Sequence, residues 1–171
     1  MTNQRTHGEP TDHPLAGVLV LDLDHAHFMG LALEQAEGAY RGEEVPVGAV
    51  LIAGDGMLLG AAHNRPITAR DPTAHAEIGA IREACIRCGN YRLAGTILYV
   101  TLEPCAMCLG ALLQARVRRL VFGARDPKAG AAGSVVDLTN VAVFNHHLEV
   151  VSGVRAAECA ALLQRFFAAR R

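Results

Sequence analysis

The chain has 171 residues, 51% of them apolar and 19% charged, with a formal net charge of −1 at pH 7. That length and apolar share suit a single soluble domain, and no stretch approaches the roughly 20 apolar residues a membrane-spanning helix needs. Five cysteines with no recognisable secretory leader favour free thiols or metal ligands over a disulfide framework, so a cytoplasmic protein with no membrane contact is expected.

Residues 1–20 open with a polar stretch containing Gly8, Pro10 and Pro14, then enter a short apolar run, Leu15 to Leu21. They are expected to form a disordered tail, with residues 21–171 as one domain. His7 and His13 read as solvent-exposed side chains of that tail. From Asp24 to Arg41, Phe28, Leu31, Ala32, Ala36 and Ala39 recur at three- and four-residue steps and predict an amphipathic helix, weakened by Gly30 and Gly38. Val47 to Ala53 and Met57 to Ala62 are short apolar runs joined by Gly54-Asp55-Gly56, which predicts a hairpin. Asn64 to Asp71, containing Pro66, reads as a loop. Pro72 and Thr73 then stand where a helix begins, and the helix is expected from Ala74 to Arg87.

Ile97 to Thr101 reads as a buried strand, Pro104 opens a helix to about Gln114, and Leu120 to Gly123 is another buried strand. Strand, short helix and strand imply a parallel pair with a right-handed crossover. Gly130 to Ser134 is a loop of small residues, and Leu148 to Val151 adds a strand. A last helix from Arg155 carries Ala156, Cys159, Leu163 and Phe166 on one face, with Cys159 as core. His146 and His147 suit local hydrogen bonding more than metal binding. The expected fold is α/β: a three-layer α/β/α sandwich around a mixed sheet of about five strands.

Two short segments carry the chemistry. His75-Ala76-Glu77 and Pro104-Cys105-Ala106-Met107-Cys108 offer one imidazole and two thiols, three ligands that leave a tetrahedral zinc ion one position for water. Cys105 and Cys108, three apart at the start of a helix, share a face, and a helix N-terminus favours thiolate. Glu77, two residues from the histidine, can reach that water as acid and base without being a ligand. A structural zinc site would instead close the fourth corner with Cys or His. The H-x-E…P-C-x-x-C pattern is the signature of zinc-dependent base deaminases.

A rival spacing exists. Cys85 and Cys88 precede Cys105 by an interval that also satisfies C-x₂-C-x₁₅₋₂₀-C-x₂-C, the pattern of a zinc ribbon that binds nucleic acid. It is disfavoured because Cys85 and Cys88 continue the helix begun near His75, and because it leaves His75-Ala76-Glu77 unused. Charge is unevenly spread: residues 1–104 carry 7 Arg against 13 acids, while residues 105–171 carry 9 Arg or Lys against 4. A basic second half beside the metal motif suits a nucleic-acid backbone.

The chain resembles the bacterial tRNA adenosine deaminases, the TadA family. The matching segments are Glu44-Val45-Pro46-Val47-Gly48-Ala49-Val50, Asn64-Arg65-Pro66-Ile67, Asp71 through Ile78, Asn90-Tyr91-Arg92-Leu93, Leu98 through Cys108, Val121 through Ser134, and Glu158 through Phe167 in part. The zinc motif alone fits the wider superfamily; Asn-Arg-Pro-Ile and Gly-Ala-Arg-Asp-Pro-Lys-Ala-Gly narrow it to tRNA editing. The resemblance implies a cytidine-deaminase-like fold, a homodimer, one Zn²⁺ per subunit, and conversion of the wobble adenosine to inosine in the anticodon stem-loop of a tRNA, an arginine tRNA. It implies His75, Cys105 and Cys108 as zinc ligands and Glu77 as proton shuttle. Asn64 and the backbone of Ala76 would meet the target base, and Asp126 the ribose of the flipped nucleotide. Phe167, Arg170 and Arg171 would pack on the anticodon loop. Phe166 and Phe167 cannot share one helical face, so Phe167 is taken to point outward. Two departures, Arg165 and Ala168, stand where the family resemblance implies an acidic and a basic residue. A free base or nucleoside deaminase of the cytosine or guanine type is the alternative within the superfamily.

Overall fold

The computed structural model describes residues 23–170; the tail expected over residues 1–20 and the terminal Arg171 fall outside that range. The helix α1 (His25–Arg41) starts where Asp24 Oδ1 accepts from the amides of Ala26 and His27, at 3.0 and 3.1 Å. It runs unbroken through Gly30 and Gly38 because burial of Phe28, Met29, Ala32, Ala36 and Ala39 on one stripe outweighs their low helix propensity. The hairpin follows as β1 (Gly48–Ile52) and β2 (Leu58–His63), antiparallel. A helical turn, α2 (Pro66–Ala69), leads to α3 (Ala76–Cys88). Then come β3 (Ile97–Leu102), α4 (Ala106–Gln114), β4 (Arg119–Ala124), β5 (Glu149–Ser152) and α5 (Ala156–Ala168).

The five strands form one sheet in the order β2-β1-β3-β4-β5. β3 is antiparallel to β1 and parallel to β4, and β4 is parallel to β5, so the sheet is mixed, as expected. Side chains alternate between its faces. Val50, Ile52, Ile97, Tyr99 and Val121 pack with Phe28 and Met29 of α1 and Cys159 of α5. Leu51, Leu98, Val100, Leu120 and Phe122 pack with Ala80 and Ala84 of α3 and Leu109 and Leu112 of α4. Helices on both faces explain why β1, β3 and β4 read as continuous apolar runs. Burying each large side chain contributes about 1.5–3 kcal/mol. Tyr99 is fully buried, and its hydroxyl lies 2.8 Å from His25 Nδ1, so its polar end is satisfied.

Three local differences from the sequence expectation have physical causes. Residues 66–69 form a helical turn within the expected loop because Glu44, distant in sequence, accepts from the amides of Ile67 and Thr68 at 3.3 and 2.7 Å. α3 begins at Ala76 instead of Ala74, since Asp71 Oδ1 accepts from Thr73 N and Oγ1 at 2.8 and 2.7 Å and holds residues 71–73 in a turn. The inward face of α5 is Cys159, Leu162 and Phe166, with Leu163 only partly covered. Phe167 points outward, 49% exposed, as read from the sequence. Among the described residues, no helix is long and apolar enough to cross a membrane.

A candidate metal centre at two helix starts

α3 and α4 share an unusual feature. In neither does the N-cap residue, His75 or Cys105, cap the helix with its own side chain. Both helices thus bring partially positive ends to one place at the carboxyl end of β3. His75 Nδ1 lies 3.8 Å from Cys105 Sγ and 3.5 Å from Cys108 Sγ. The three donor atoms all fall within 4.8 Å of one another, and they form the one such cluster among the described residues. Ligands on a tetrahedral zinc ion at about 2.0–2.3 Å stand roughly 3.5–3.8 Å apart, so the spacing fits that ion.

Electrostatics support the same reading. Hydrogen bonds with Cys108 and His75 hold the Cys105 thiol down to about 3, while Cys108 is driven far upward by its bond to Cys105, by burial and by the Glu77 charge. Two sulfurs this close share a single negative charge until a cation joins them. The bond to Cys105 also raises the His75 imidazole above its ordinary value. Glu77, in the first turn of α3, is 3% exposed, and burial raises its pKa. Its Oε2 is the one buried side-chain oxygen or nitrogen among the described residues with no hydrogen-bond partner. Leaving such an atom unpaired costs about 1–3 kcal/mol, which a structural carboxylate would avoid and one meant to meet a polar ligand need not.

His75, Glu77 and Cys105 line a cleft of about 300 Å³ together with Asn64 and Asp126. Asn64 is buried beside α3, and its Oδ1 accepts from the Ala76 amide at 2.9 Å. The Ala76 N–H is therefore committed to Asn64, and the Asn64 amide nitrogen is the end left for a ligand. The bond from Arg65 N to the Ala74 carbonyl, 2.9 Å, keeps this strand end against the start of α3. The structure brings six of the sequence candidates together: His75, Glu77, Cys105, Asn64 and Asp126 line the cleft, and Cys108 joins His75 and Cys105 in the donor cluster. Phe167 and Arg170 lie elsewhere, in a groove of about 770 Å³ that they share with Arg125 and Lys128. Arg170 packs its guanidinium 3.6 Å over the Phe166 ring. Arg171 falls outside the described residues.

Two cleft residues were not singled out from the sequence. Glu44 and Glu103 are each 2% exposed and line the same cleft. Their signal was faint: Glu44 is one of two adjacent acids in a turn, and Glu103 is a single acid following an apolar strand. The second cysteine pair proves separate. Cys85 and Cys88 sit in the last turns of α3, roughly 14–18 Å along the helix from its start, and join no metal-ligating cluster among the described residues. The zinc-ribbon alternative has no support in this arrangement.

Fold, ligand set and buried glutamate define a class, the base deaminases built on this α/β/α sandwich. The family model of the MafB19-like deaminases matches residues 23–171. A tRNA-specific adenosine deaminase of Haemophilus influenzae is 50% identical over 144 residues, covering 84% of this chain and 83% of that protein. A solved structure from work on A-to-I editing by tRNA:A34 deaminases at the wobble position is 48% identical, with a TM-score of 0.77 over 80% of this chain and 98% of that one. A guanine deaminase from Nitrosomonas europaea is 27% identical, with a TM-score of 0.74 over 98% of this chain and 99% of that one. The chain belongs to the family of tRNA-specific adenosine deaminases.

Proposed function

We propose that this chain hydrolyses the wobble adenosine in the anticodon loop of a tRNA, an arginine tRNA, to inosine, acting in the cytoplasm as a homodimer with one zinc ion per subunit. The observation that carries the reading is the buried, unpartnered Glu77 Oε2 in the same cleft as the His75, Cys105 and Cys108 donors. The three donors would hold the ion. When bound, zinc lowers the pKa of a water from about 15.7 to about 7. Glu77, which burial keeps poised to hold a proton, takes one from that water at its free oxygen. It passes that proton to the ring nitrogen of adenine as the water oxygen bonds the amine-bearing ring carbon. It then takes the proton left on that oxygen and delivers it to the amine, so the C–N bond breaks, one water is consumed and ammonia leaves. Such general acid–base work typically contributes about 10²–10⁴-fold.

Asn64, its carbonyl fixed on Ala76, directs its amide nitrogen to the base. Asp126, with one carboxylate oxygen accepting from Lys128 N at 2.9 Å, meets the 2′-hydroxyl that marks RNA. Arg125, Lys128 and Arg170 have no acidic partner among the described residues, and beside the exposed Phe167 ring they form the surface that meets the anticodon loop, joined by Arg171. Arg118, Arg119, Arg155 and Arg165 pair with acids and contribute less. Replacing Arg170 with Ala is expected to weaken tRNA binding and to lower the slope of log affinity against log salt by about one unit, measured by titration at several salt concentrations.

The deciding experiment offers purified protein an arginine tRNA anticodon stem-loop, free adenosine, free cytidine and guanine, and assays each product. Inosine at the wobble position of the stem-loop is expected. Turnover of guanine or of a free nucleoside, with the stem-loop untouched, would replace this reading with the free-base alternative that the Nitrosomonas neighbour represents.

A further inference from the structure

Glu103 directly follows β3, two residues before Cys105, and has no part in the proton transfers above. Its carboxylate receives four hydrogen bonds, all from one stretch of loop. Oε2 accepts from Asp126 N at 3.1 Å and from the Ser134 hydroxyl, and Oε1 accepts from Ala132 N and Ser134 N, both at 3.0 Å. The loop closes over the carboxylate at Gly130, where a Cβ would stand 2.5 Å from Glu103 Cδ and 2.6 Å from the Asp126 carbonyl. Backbone bonds fasten the same loop to the ligand turn: Ala131 N donates to Pro104 O at 2.8 Å, and Glu103 N to Ala124 O at 2.8 Å. Asp126 thus reaches the cleft from a loop whose position is set from beneath by one buried acid. An amide cannot replace that acid faithfully, since its NH₂ would face backbone donors.

We infer that Glu103 is a positioning residue for sugar recognition: by anchoring the Asp126 loop it sets the preference for a ribonucleotide at the target position without touching the sugar. The inference rests on the reading that Asp126 meets the 2′-hydroxyl. It is tested by comparing the wild-type protein, Glu103→Gln, Asp126→Asn and the double variant. The substrates are stem-loops carrying adenosine or 2′-deoxyadenosine at the target position. For each, kcat and KM are determined separately and zinc content is measured.

Glu103→Gln is expected to keep one zinc per chain and to raise KM for the ribo substrate more than it lowers kcat. The ribo-over-deoxy ratio should fall about tenfold, as in Asp126→Asn, and no further in the double variant. If Asp126→Asn lowers the ratio and Glu103→Gln leaves it at the wild-type value, the role of Glu103 is overturned and the Asp126 contact stands. If Asp126→Asn itself leaves the ratio unchanged, the sugar contact falls, and the role of Glu103 with it. Should Glu103→Gln fail to fold, Ser134→Ala removes one donor and keeps the carboxylate. A drop of about threefold in the ratio then supports the inference, and an unchanged ratio overturns it.

Discussion

The chain contains two Cys-x-x-Cys pairs of identical spacing, at opposite kinds of helix end. Cys105 and Cys108 open α4, beside the open start of α3 and within 3.8 Å of an imidazole. Cys85 and Cys88 close α3, where Gly89 turns the chain with a φ of 61° and the backbone presents carbonyls, not amides. The Cys105 thiol is held down to about 3, whereas burial and the neighbouring Cys88 push the Cys85 thiol above its ordinary value. Spacing puts two sulfurs on one face; the helix end and the third ligand decide whether that face binds a cation.

The contrast can be broken most directly at the ligands. Cys108→Ala is expected to take bound zinc from one per chain to none and to abolish turnover, read by elemental analysis and by inosine formation. Retained zinc in that variant would sink the ligand assignment. Glu77→Gln sharpens the same region by separating metal holding from proton transfer: zinc stays, and kcat falls about 10²–10⁴-fold.

A pH profile distinguishes the two pairs without mutation. After chelation, alkylation of Cys105 should proceed at a rate nearly independent of pH between about 5 and 8. Its thiol, with a pKa of about 3, is already ionised throughout that range. Alkylation of Cys85, whose pKa lies above the usual thiol value, should be slow and rise with pH across the same window, followed by peptide mass analysis. The smallest effect is expected for Cys85→Ala with Cys88→Ala. Zinc and turnover should match the wild type, with about 1 kcal/mol lost from stability, since both side chains only partly pack against the core. Loss of metal there would revive the ribbon.

Legibility in the sequence followed the range of the interactions. α1, the hairpin, β3, α4 and β4 were readable because periodicity, caps and turn residues act within a few positions. The bonds from Glu44 to Ile67 and Thr68, and from Glu103 to Ala132 and Ser134, span 23 to 31 residues, and no local pattern announces them. The uneven charge of the two halves was only partly informative. Several of the C-terminal arginines are paired with acids, including Arg165 with Glu37 across the fold, so the exposed basic surface is smaller than the count suggests.

What the sequence singled out alone was the set of candidate reacting groups. The i, i+3 geometry of Cys105 and Cys108 and the two-residue step from His75 to Glu77 are short-range facts that hold on any helix start. Tertiary structure decided the rest: that the starts of α3 and α4 meet at the end of β3, that Glu77 is buried with an oxygen unpaired, and that Asn64 and Asp126 line the same cleft. These depend on strand order and on long-range burial, and no residue's near neighbours specify either.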